Sequence, residues 1–463
     1  MIEDLRPFGH YQSMASRWSP RVPSHWELRK MRTLITPRNE RNRSDLPLLS
    51  VAREKGVFVR SIDDDNHNVI PHDLTNYKVA RAGSLVINKM KAWQGSMGIA
   101  PCDGIVSPAY FVYDLAISNG AFGQALLRSR PYVAHFGQAS DGVRIGQWDL
   151  SIARMREIPL AIPPADEQSA IVRFLGHANY RIECYIRQKR KLITLLNEQR
   201  QALIHRAVTR GLHPNVTLKD SEVWSLGDVP THWDVRPFVR CTTERADYRG
   251  ATPEKVDSGA FLVTAKNIRK GWIDYETSQE YVRHSEYLKI MRRGLPKLGD
   301  VLLTTEAPLG NVALVDREDI ALAQRIIRFR LNPDILLPRF AVFCLNSAYF
   351  QNQLAERATG STAKGIKASK LPQLIVALPP TDEQREIIAV IDRNVSPINE
   401  TLTRAEREIA LMREYRARLV ADVVTGQLDV REAARCLPTE EPESVAVEDG
   451  DVLEDEEPEE GAA

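Results

Sequence analysis

Cysteine is scarce in this chain, and the five residues present are widely separated. No two of them form a C-x-x-C pair, so the sequence predicts neither a disulfide framework nor a tetrahedral zinc site. No apolar run approaches the ~20 residues that a transmembrane helix needs. These absences are typical of a globular protein that works in a reducing cytoplasm.

Catalytic motifs are missing as well. The sequence has no G-x-x-x-x-G-K-[ST] nucleotide loop, no G-x-S-x-G nucleophile turn and no H-E-x-x-H zinc motif. We therefore expect no catalytic residue, no metal and no cofactor bound by this chain. An enzyme such as a nuclease stays open as a minor alternative, which metal-dependent cleavage by the isolated chain would reveal.

Charge is nearly balanced overall but unevenly distributed. The formal net charge is +1, from 62 Lys and Arg against 61 Asp and Glu. Residues 439–463 contain 12 of the acidic residues and no basic one, which leaves a body of net +13. The acidic segment has too few apolar residues to fold and is predicted to be disordered. The basic body suits a polyanion such as nucleic acid, although a basic solvated surface explains the charge alone equally well.

The sequence also contains an internal repeat. Val22–Arg29 (VPSHWELR) recurs as Val229–Arg236 (VPTHWDVR), and Pro163–Gln168 (PPADEQ) recurs as Pro379–Gln384 (PPTDEQ). Each half of the chain therefore opens and closes with the same pair of motifs. Between them, short β-rich runs follow glycine-containing turns, which predicts a mixed α/β domain in each half. The histidine and tryptophan of the first motif are interpreted as structural, because no metal-binding residues recur with them.

A long helix is predicted after each PP-x-DEQ motif. Asp166 and Asp382 are suitable N-caps, and Gly211 and Gly426 stand where C-terminal caps are expected. The apolar period becomes 3.5 residues, which is typical of a coiled-coil seam. Pro397 is predicted to break the second helix. The predicted seam residues are Ile171, Leu175, Ile182, Leu192, Leu196, Leu203, Ile391, Ile398, Leu402, Ile409, Met412 and Leu419.

The two seams are predicted to pack against each other, because neither can remain exposed to water. The intervening domain makes that pairing antiparallel, while the alternative is that each helix packs on its own domain. The predicted fold is α/β (mixed), with two similar α/β domains separated and joined by two long antiparallel coiled-coil helices in a pseudo-two-fold repeat. The predicted boundaries are 1–165 for the first domain, 166–212 for the first helix, 213–380 for the second domain, 381–430 for the second helix and 431–463 for a disordered acidic tail.

Two kinds of segment suit contact with DNA. Asn88–Gly98 follows a predicted strand and mixes lysines with a tryptophan and a glutamine; its counterpart is Thr304–Gly310, where Glu306 can accept from a cytosine amino group. Thr359–Lys367 combines glycines, hydroxyls and lysines, and its counterpart is Ser140–Arg144. Each alone is equally well explained as a polar loop, but recurrence at equivalent places favours function. The DNA-binding candidates are Lys89, Lys91, Trp93, Gln94, Ser107, Arg144, Thr305, Glu306, Gln324, Arg325, Ser361, Thr362, Lys364, Lys367 and Lys370.

With these features together, the chain resembles the specificity subunit of type I restriction–modification enzymes. The resemblance is carried by the repeated motifs, by Asn88–Gly98 and Gly360–Ile366, and by the linker Gly211–Val216 with Trp224. It covers about residues 15–430, and the motifs are more specific in their repeated order than singly. The acidic tail departs from the family pattern.

The resemblance implies a non-catalytic DNA-recognition subunit. Each α/β domain is then a target recognition domain that reads one half of a bipartite sequence in double-stranded DNA. The helices set the spacer and dock two methyltransferase subunits, which bind S-adenosylmethionine; restriction (translocase–nuclease) subunits join them and use ATP and Mg. Two alternatives remain, a coiled-coil adaptor and a degenerate DNA-binding relative without modification partners.

Overall fold

The computed structural model describes residues 5–60, 74–144, 147–248, 253–360 and 364–438, and the chain divides into two units. Unit 1 comprises residues 1–189 and 406–463, and unit 2 comprises residues 190–405. Both units are mixed α/β, which confirms that part of the predicted fold. The sequence boundaries treat each domain as one continuous segment, whereas unit 1 also contains the end of the second long helix.

Unit 1 is built from short strands, and its largest sheet is antiparallel with the order β4-β11-β8-β9. The strands are β1 (Tyr11–Ser13), β2 (Arg21–Pro23), β3 (Glu27–Lys30), β4 (Ile35–Pro37), β5 (Leu49–Ala52), β6 (Gly56–Val59), β7 (Lys78–Ala80), β8 (Leu85–Asn88), β9 (Met97–Ile99), β10 (Gly104–Val106), β11 (Tyr110–Leu115), β12 (Ser140–Arg144), β13 (Gln147–Leu150) and β14 (Pro159–Ile162). The helices that begin here are α1 (Gly120–Leu127), α2 (Arg130–Gln138), α3 (Ile152–Met155) and α4 (Ala165–Arg210).

Unit 2 has a largest sheet of the same design, antiparallel with the order β18-β24-β21-β22. Its strands are β15 (Leu218–Asp220), β16 (Asp228–Pro230), β17 (Asp234–Pro237), β18 (Thr242–Asp247), β19 (Ala260–Val263), β20 (Tyr281–Val282), β21 (Val301–Thr304), β22 (Val312–Leu314), β23 (Ile320–Leu322), β24 (Ile326–Leu331) and β25 (Ile375–Leu378). The helices that follow in the chain are α5 (Tyr287–Ile290), α6 (Pro338–Leu345), α7 (Ala348–Arg357), α8 (Thr381–Val424) and α9 (Arg431–Arg435).

The ends of the long helices belong to the cores of the units. In unit 1, Leu419 and Val423 of α8 are buried in the same cluster as Trp26. In unit 2, Ile387 and Ile391 of α8 are buried with the aromatic core of that unit. Burial of one apolar stripe therefore stabilises these helices, as is usual for helices in proteins.

The seam of α8 follows the heptad spacing. Ile391, Ile398, Leu402, Ile409 and Leu419 are all buried, and Met412 is half-buried. Helix α8 is also continuous through Pro397, so the predicted break is wrong. The buried seam residues on either side of the proline hold the helix together against a cost of about 3 kcal/mol.

The seam of α4 departs from the heptad spacing after Ile182. The next buried residue is Ile186, four positions on, and Leu192 is 37% exposed. The stripe continues through half-buried positions to Val208, while Leu196 and Leu203 are only half-buried. A straight helix of 3.6 residues per turn drifts away from a strict heptad, and spacing close to eleven residues per three turns follows that drift.

Three smaller expectations change at the helix ends. Helices α4 and α8 begin at Ala165 and Thr381, so Asp166 and Asp382 lie inside the first turn rather than at the N-cap. Acidic side chains there still complement the helix dipole. The tail was predicted to begin at residue 431, but Arg431–Arg435 forms α9, and Ala434 is buried in the unit 1 core.

Candidate nucleic-acid interface

One edge of the largest sheet in unit 1 collects most of the predicted DNA-binding residues of that unit. Asn88, the last residue of β8, pairs with Tyr110, the first residue of β11. The connection 89–96 and the turn 107–109 therefore leave the sheet side by side. We call this place edge 1; it carries Lys89, Lys91, Trp93, Gln94 and Ser107.

The first turn of edge 1 is shaped by a buried asparagine. The Asn88 side chain accepts hydrogen bonds from the backbone of Met90 (3.0 Å) and Lys91 (3.3 Å). Gly95 has a φ of +89°, which favours glycine because it has no Cβ. The indole of Trp93 donates to the carbonyl of Met90 (3.1 Å), which fixes its position on the turn.

The hairpin β12–β13 packs against this connection. The rings of Trp93 and Trp148 are 5.1 Å apart, and Lys89 Nζ lies 2.5 Å from Asp149 Oδ2. Lys89 is therefore paired within the protein, which leaves less of its charge for a phosphate. Arg144 pairs in the hairpin with residue 147, and its side chain lies outside the described residues.

The same edge of the unit 2 sheet collects the candidates of the second half. Thr304, the last residue of β21, pairs with Ile326, the first residue of β24. The connection 305–311 and the turn at Gln324–Arg325 leave the sheet together, and Thr305 N donates to Arg325 O (2.8 Å). Thr305 itself is only 1% exposed, so its hydroxyl faces the protein and cannot serve as the predicted contact.

A further loop joins this place, which we call edge 2. Thr359 and Gly365 exchange backbone hydrogen bonds of 2.8 and 2.9 Å, and Ile366 N donates to Thr305 O (3.0 Å). Lys364 and Lys367 are exposed beside these contacts. Lys370 is half-buried in the 3-10 turn that follows, and Ser361 and Thr362 lie outside the described residues.

An ion pair spans two segments of edge 2. Arg325 Nε lies 2.9 Å from Glu306 Oε1, with both side chains partly exposed. Glu306 also forms a backbone bridge with Gly365. Arg325 has a φ of +78°, a conformation that residues other than glycine rarely adopt. Structure thus brings together Glu306, Arg325 and the Lys364 loop, which are separate in sequence.

Sequence reasoning missed Trp148 and Asp149 as members of edge 1. Both lie in β13, immediately before α3. The Lys364 loop of edge 2 likewise immediately precedes the 3-10 turn Ala368–Gln373. In both units a short helical segment, α3 or the turn Ala368–Gln373, follows the interface residues. That shared position is the signal by which Trp148 and Asp149 could have been predicted.

The repeated motifs meet each other in both units. In unit 1, Glu167 accepts from Trp26 Nε1 (2.9 Å) and lies 2.8 Å from His25 Nε2. In unit 2, Glu383 accepts a hydrogen bond from Trp233 Nε1 (3.1 Å) and lies 2.8 Å from His232 Nε2. The glutamate of PP-x-DEQ thus fastens the start of each long helix to the VP-x-HW motif of its unit, which agrees with the structural role predicted for the histidine and tryptophan.

The glutamine of the motif makes a second connection. Gln168 Oε1 accepts from Asn119 N (3.0 Å), and Gln384 Oε1 accepts from Leu337 N (2.9 Å). In each case the side chain also donates to the first proline carbonyl of its own motif at 2.9 Å. Both amides are buried, so each glutamine pairs the proline carbonyl before its own long helix and the N-cap amide of another helix, α1 in unit 1 and α6 in unit 2.

The long helices are joined by polar contacts in unit 1. Tyr185 donates to Glu408 (2.9 Å), and Lys189 Nζ lies 2.6 Å from the same oxygen. This hydrogen bond to Glu408 raises the pKa of Lys189. Glu183 of α4 also pairs with Arg416 of α8. In unit 2, the corresponding contact is Arg200 to Asn399, at 3.0 Å.

Comparison with known proteins identifies the domain to which edge 2 belongs. Residues 264–410 match the family model of the type I restriction modification DNA specificity domain. That matched segment is a type I restriction–modification DNA specificity domain. The resemblance drawn from the repeated motifs is thereby confirmed.

Curated relatives extend the similarity along most of the chain. The type I restriction enzyme MjaVIII specificity subunit of Methanocaldococcus jannaschii is 22% identical over 431 residues, which cover 89% of this chain and 95% of that protein. The type I restriction enzyme EcoBI specificity subunit of Escherichia coli is 21% identical over 292 residues, 60% of each chain. A chain in a solved structure of the type I R-M system has a TM-score of 0.62 at 15% identity, over 88% of this chain and 99% of that one. That last likeness establishes the fold alone.

The part of the chain that the structure describes lacks two further features. It contains no group of three or more His, Cys, Asp or Glu side chains placed to hold a metal ion. Within the same residues, no helix combines the length and the apolar character needed to cross a membrane.

Proposed function

We propose that this chain is the non-catalytic part of a type I restriction–modification enzyme that recognises its DNA target, with each unit reading one half of a bipartite sequence. The observation that carries the proposal is that candidate loops leave the same ends of the two central sheet strands in both units. The match to a DNA specificity domain supports it, because residues 264–410 include all of edge 2.

The charges at edge 2 suit a DNA duplex. Lys364 and Lys367 are exposed on a loop held by backbone hydrogen bonds, which suits contact with phosphates. Beside them, Glu306 and Arg325 offer acceptors and donors of the kind that distinguish base edges in the major groove. At edge 1, Lys91, Trp93 and Gln94 are half-buried and occupy the corresponding connection.

We further propose that α4 and α8 pair as an antiparallel coiled coil, set the length of the unread spacer and dock two methyltransferase subunits. The unit 1 contacts support the pairing, since Glu183 meets Arg416 while the later Lys189 meets the earlier Glu408. Helix α4 has 46 residues, or about 69 Å at ~1.5 Å per residue. Restriction subunits join this assembly, and S-adenosylmethionine, ATP and Mg bind to the partner subunits.

The test is single-molecule methylome sequencing of a host that expresses a cognate methyltransferase with and without this chain. We expect an adenine mark that requires the chain and lies in two short half-sites with a fixed gap. No such mark, from a methyltransferase shown to be active with another specificity subunit, would contradict the proposal. Absence of salt-dependent DNA binding as well would favour the protein-binding adaptor.

A further inference from the structure

We propose that Arg325 and Glu306 act together on one G·C base pair in the major groove of the half-site that unit 2 reads. This inference rests on the proposed function and adds the identity of a base pair to it. The pair joins two segments of edge 2 through Arg325 Nε and Glu306 Oε1, 2.9 Å apart.

The pair is held in place but remains open to solvent. The side chains of Arg325 and Glu306 are 47% and 40% exposed. Among the described residues, Glu306 is the one carboxylate that lies within 4 Å of the Arg325 guanidinium. A guanidinium has five N–H donors and a carboxylate accepts up to about four hydrogen bonds, so both groups keep capacity for a base pair.

The backbone under Arg325 is fixed by its neighbours. Its φ of +78° is rare for an arginine, and such a conformation persists where surrounding structure determines it. Thr305 N donates to Arg325 O (2.8 Å), and Ile366 N in turn donates to Thr305 O (3.0 Å). Glu306 is tied through a backbone bridge to Gly365. The backbone of both ion-pair residues is thus held by hydrogen bonds among three chain segments. Such support favours a preorganised binding group.

The chemistry of the pair matches G·C and opposes A·T. In the major groove guanine presents two acceptors, N7 and O6, and cytosine presents an amino donor. Arg325 has only donors and Glu306 has only acceptors, so the two side chains can satisfy both bases of one pair. At an A·T pair, the arginine would meet the adenine amino group and the carboxylate would meet the thymine O4, and both encounters are unfavourable.

The neighbouring charges make the carboxylate tolerable near DNA. A lone glutamate would be repelled by phosphates, but Arg325 neutralises it and Lys364 and Lys367 are exposed on the adjoining loop. The simpler explanation is that the ion pair only fastens two loops, and a surface ion pair of that kind contributes little. The two explanations differ in whether base specificity changes when the arginine is replaced.

The experiment uses the full chain assembled with its methyltransferase. The wild-type motif is first determined by methylome sequencing, and we expect it to contain a G·C pair whose recognition depends on unit 2. Methylomes of Arg325→Ala and Arg325→Lys are then compared with the wild type. We expect discrimination at that one position to fall by roughly 5- to 150-fold, with the other half-site unchanged. Arg325→Lys keeps the charge and loses the planar fork, so it should lose discrimination while the salt dependence of binding stays the same.

A matched control and a modified DNA complete the design. Arg283 forms an exposed ion pair with Glu254 at 2.9 Å in the same unit, and Arg283→Ala should leave the motif unchanged. Replacing the guanine with 7-deazaguanine removes N7 and should weaken binding of the wild-type complex, with no further loss for Arg325→Ala. Equal losses in both complexes, or full discrimination retained by Arg325→Ala, would overturn the inference. If the wild-type complex leaves no chain-dependent mark, that result would instead contradict the proposed function, and this inference would fail with it.

Discussion

Replacing Glu167 with alanine removes the carboxylate on which His25 and Trp26 converge. Glu167 is 4% exposed, and its two oxygens lie 2.9 Å from Trp26 Nε1 and 2.8 Å from His25 Nε2. The variant leaves the indole N–H, itself in the core of unit 1, without this acceptor. We expect the start of α4 to separate more readily from the VP-x-HW motif.

The size of the effect follows from burial. A buried donor without a partner costs about 1–3 kcal/mol. The bond from His25, whose side chain is 40% exposed, adds only about 0–1 kcal/mol because water screens it. We therefore expect Glu167→Ala to lower the local free energy of unfolding by about 3 kcal/mol. Glu383→Ala should cost about 2 kcal/mol, since the Glu383 side chain is 19% exposed and water can partly replace it.

Hydrogen exchange followed by mass spectrometry measures this locally. A chain of two units need not unfold in one step, so a single midpoint would mix the two. Peptides that cover Trp26 and the first turns of α4 should lose protection in Glu167→Ala. Glu27→Ala is the control, because that carboxylate is 68% exposed and its removal should change stability by no more than ~0.5 kcal/mol. If these peptides are as well protected from exchange in Glu167→Ala as in Glu27→Ala, the reasoning is wrong.

Three further predictions concern other parts of the molecule. Asp300→Ala removes the buried carboxylate that Arg328 meets at 2.8 Å and leaves that 1% exposed guanidinium with the more distant Glu244 (3.3 Å), so it should cost unit 2 about 3 kcal/mol, measured by hydrogen exchange. Burial lowers the pKa of His135, so the unfolded chain takes up a proton first and unit 1 should lose stability as pH falls below about 6.5; a His135→Gln variant should show a weaker pH dependence in denaturant titrations. Neutralising Lys364 and Lys367 together should weaken DNA binding by the assembled complex and reduce the slope of log K against log salt by about 1.8.

The aspartate prediction and the lysine prediction each have a matched control in unit 2. Asp319→Ala breaks an exposed ion pair with Arg317 and should change stability little. Neutralising Lys289 and Lys297 removes two exposed lysines, the second of which precedes β21 at the end remote from edge 2. Equal costs for the two aspartates, an unaltered pH profile, or equal slopes for the two lysine pairs would each contradict the corresponding prediction.

The long helices illustrate how far a periodic pattern can be trusted. The heptad positions of α8 coincide with its buried stripe except at Met412, which is half-buried. In α4 the same rule works to Ile182 and then selects Leu192, which is exposed, while Ile186 is buried instead. Both spacings place apolar residues along a helix, and only the surface against which the helix packs decides which residues are covered.

The candidate interface was found through the repeat rather than through any single motif. Because the two halves share their order of motifs, corresponding loops can be compared, and that comparison selects Glu306, Arg325 and Lys364 from the sequence. Comparison of the two halves could not show which side chains are buried or paired within the protein. Lys89 is paired with Asp149, and Thr305 is buried, and neither fact is visible in the pattern of residue types.

The order of residues alone was enough for the repeat, the mixed α/β class and the two long helices, because these depend on motif spacing and on periods of a few residues. Folding decided the rest. Glu167 meets Trp26 across 141 positions of sequence, and Arg325 reaches Glu306 only because β21 and β24 are neighbours in the sheet. Such partners depend on which strands lie side by side, and strand order is set by packing of the whole unit.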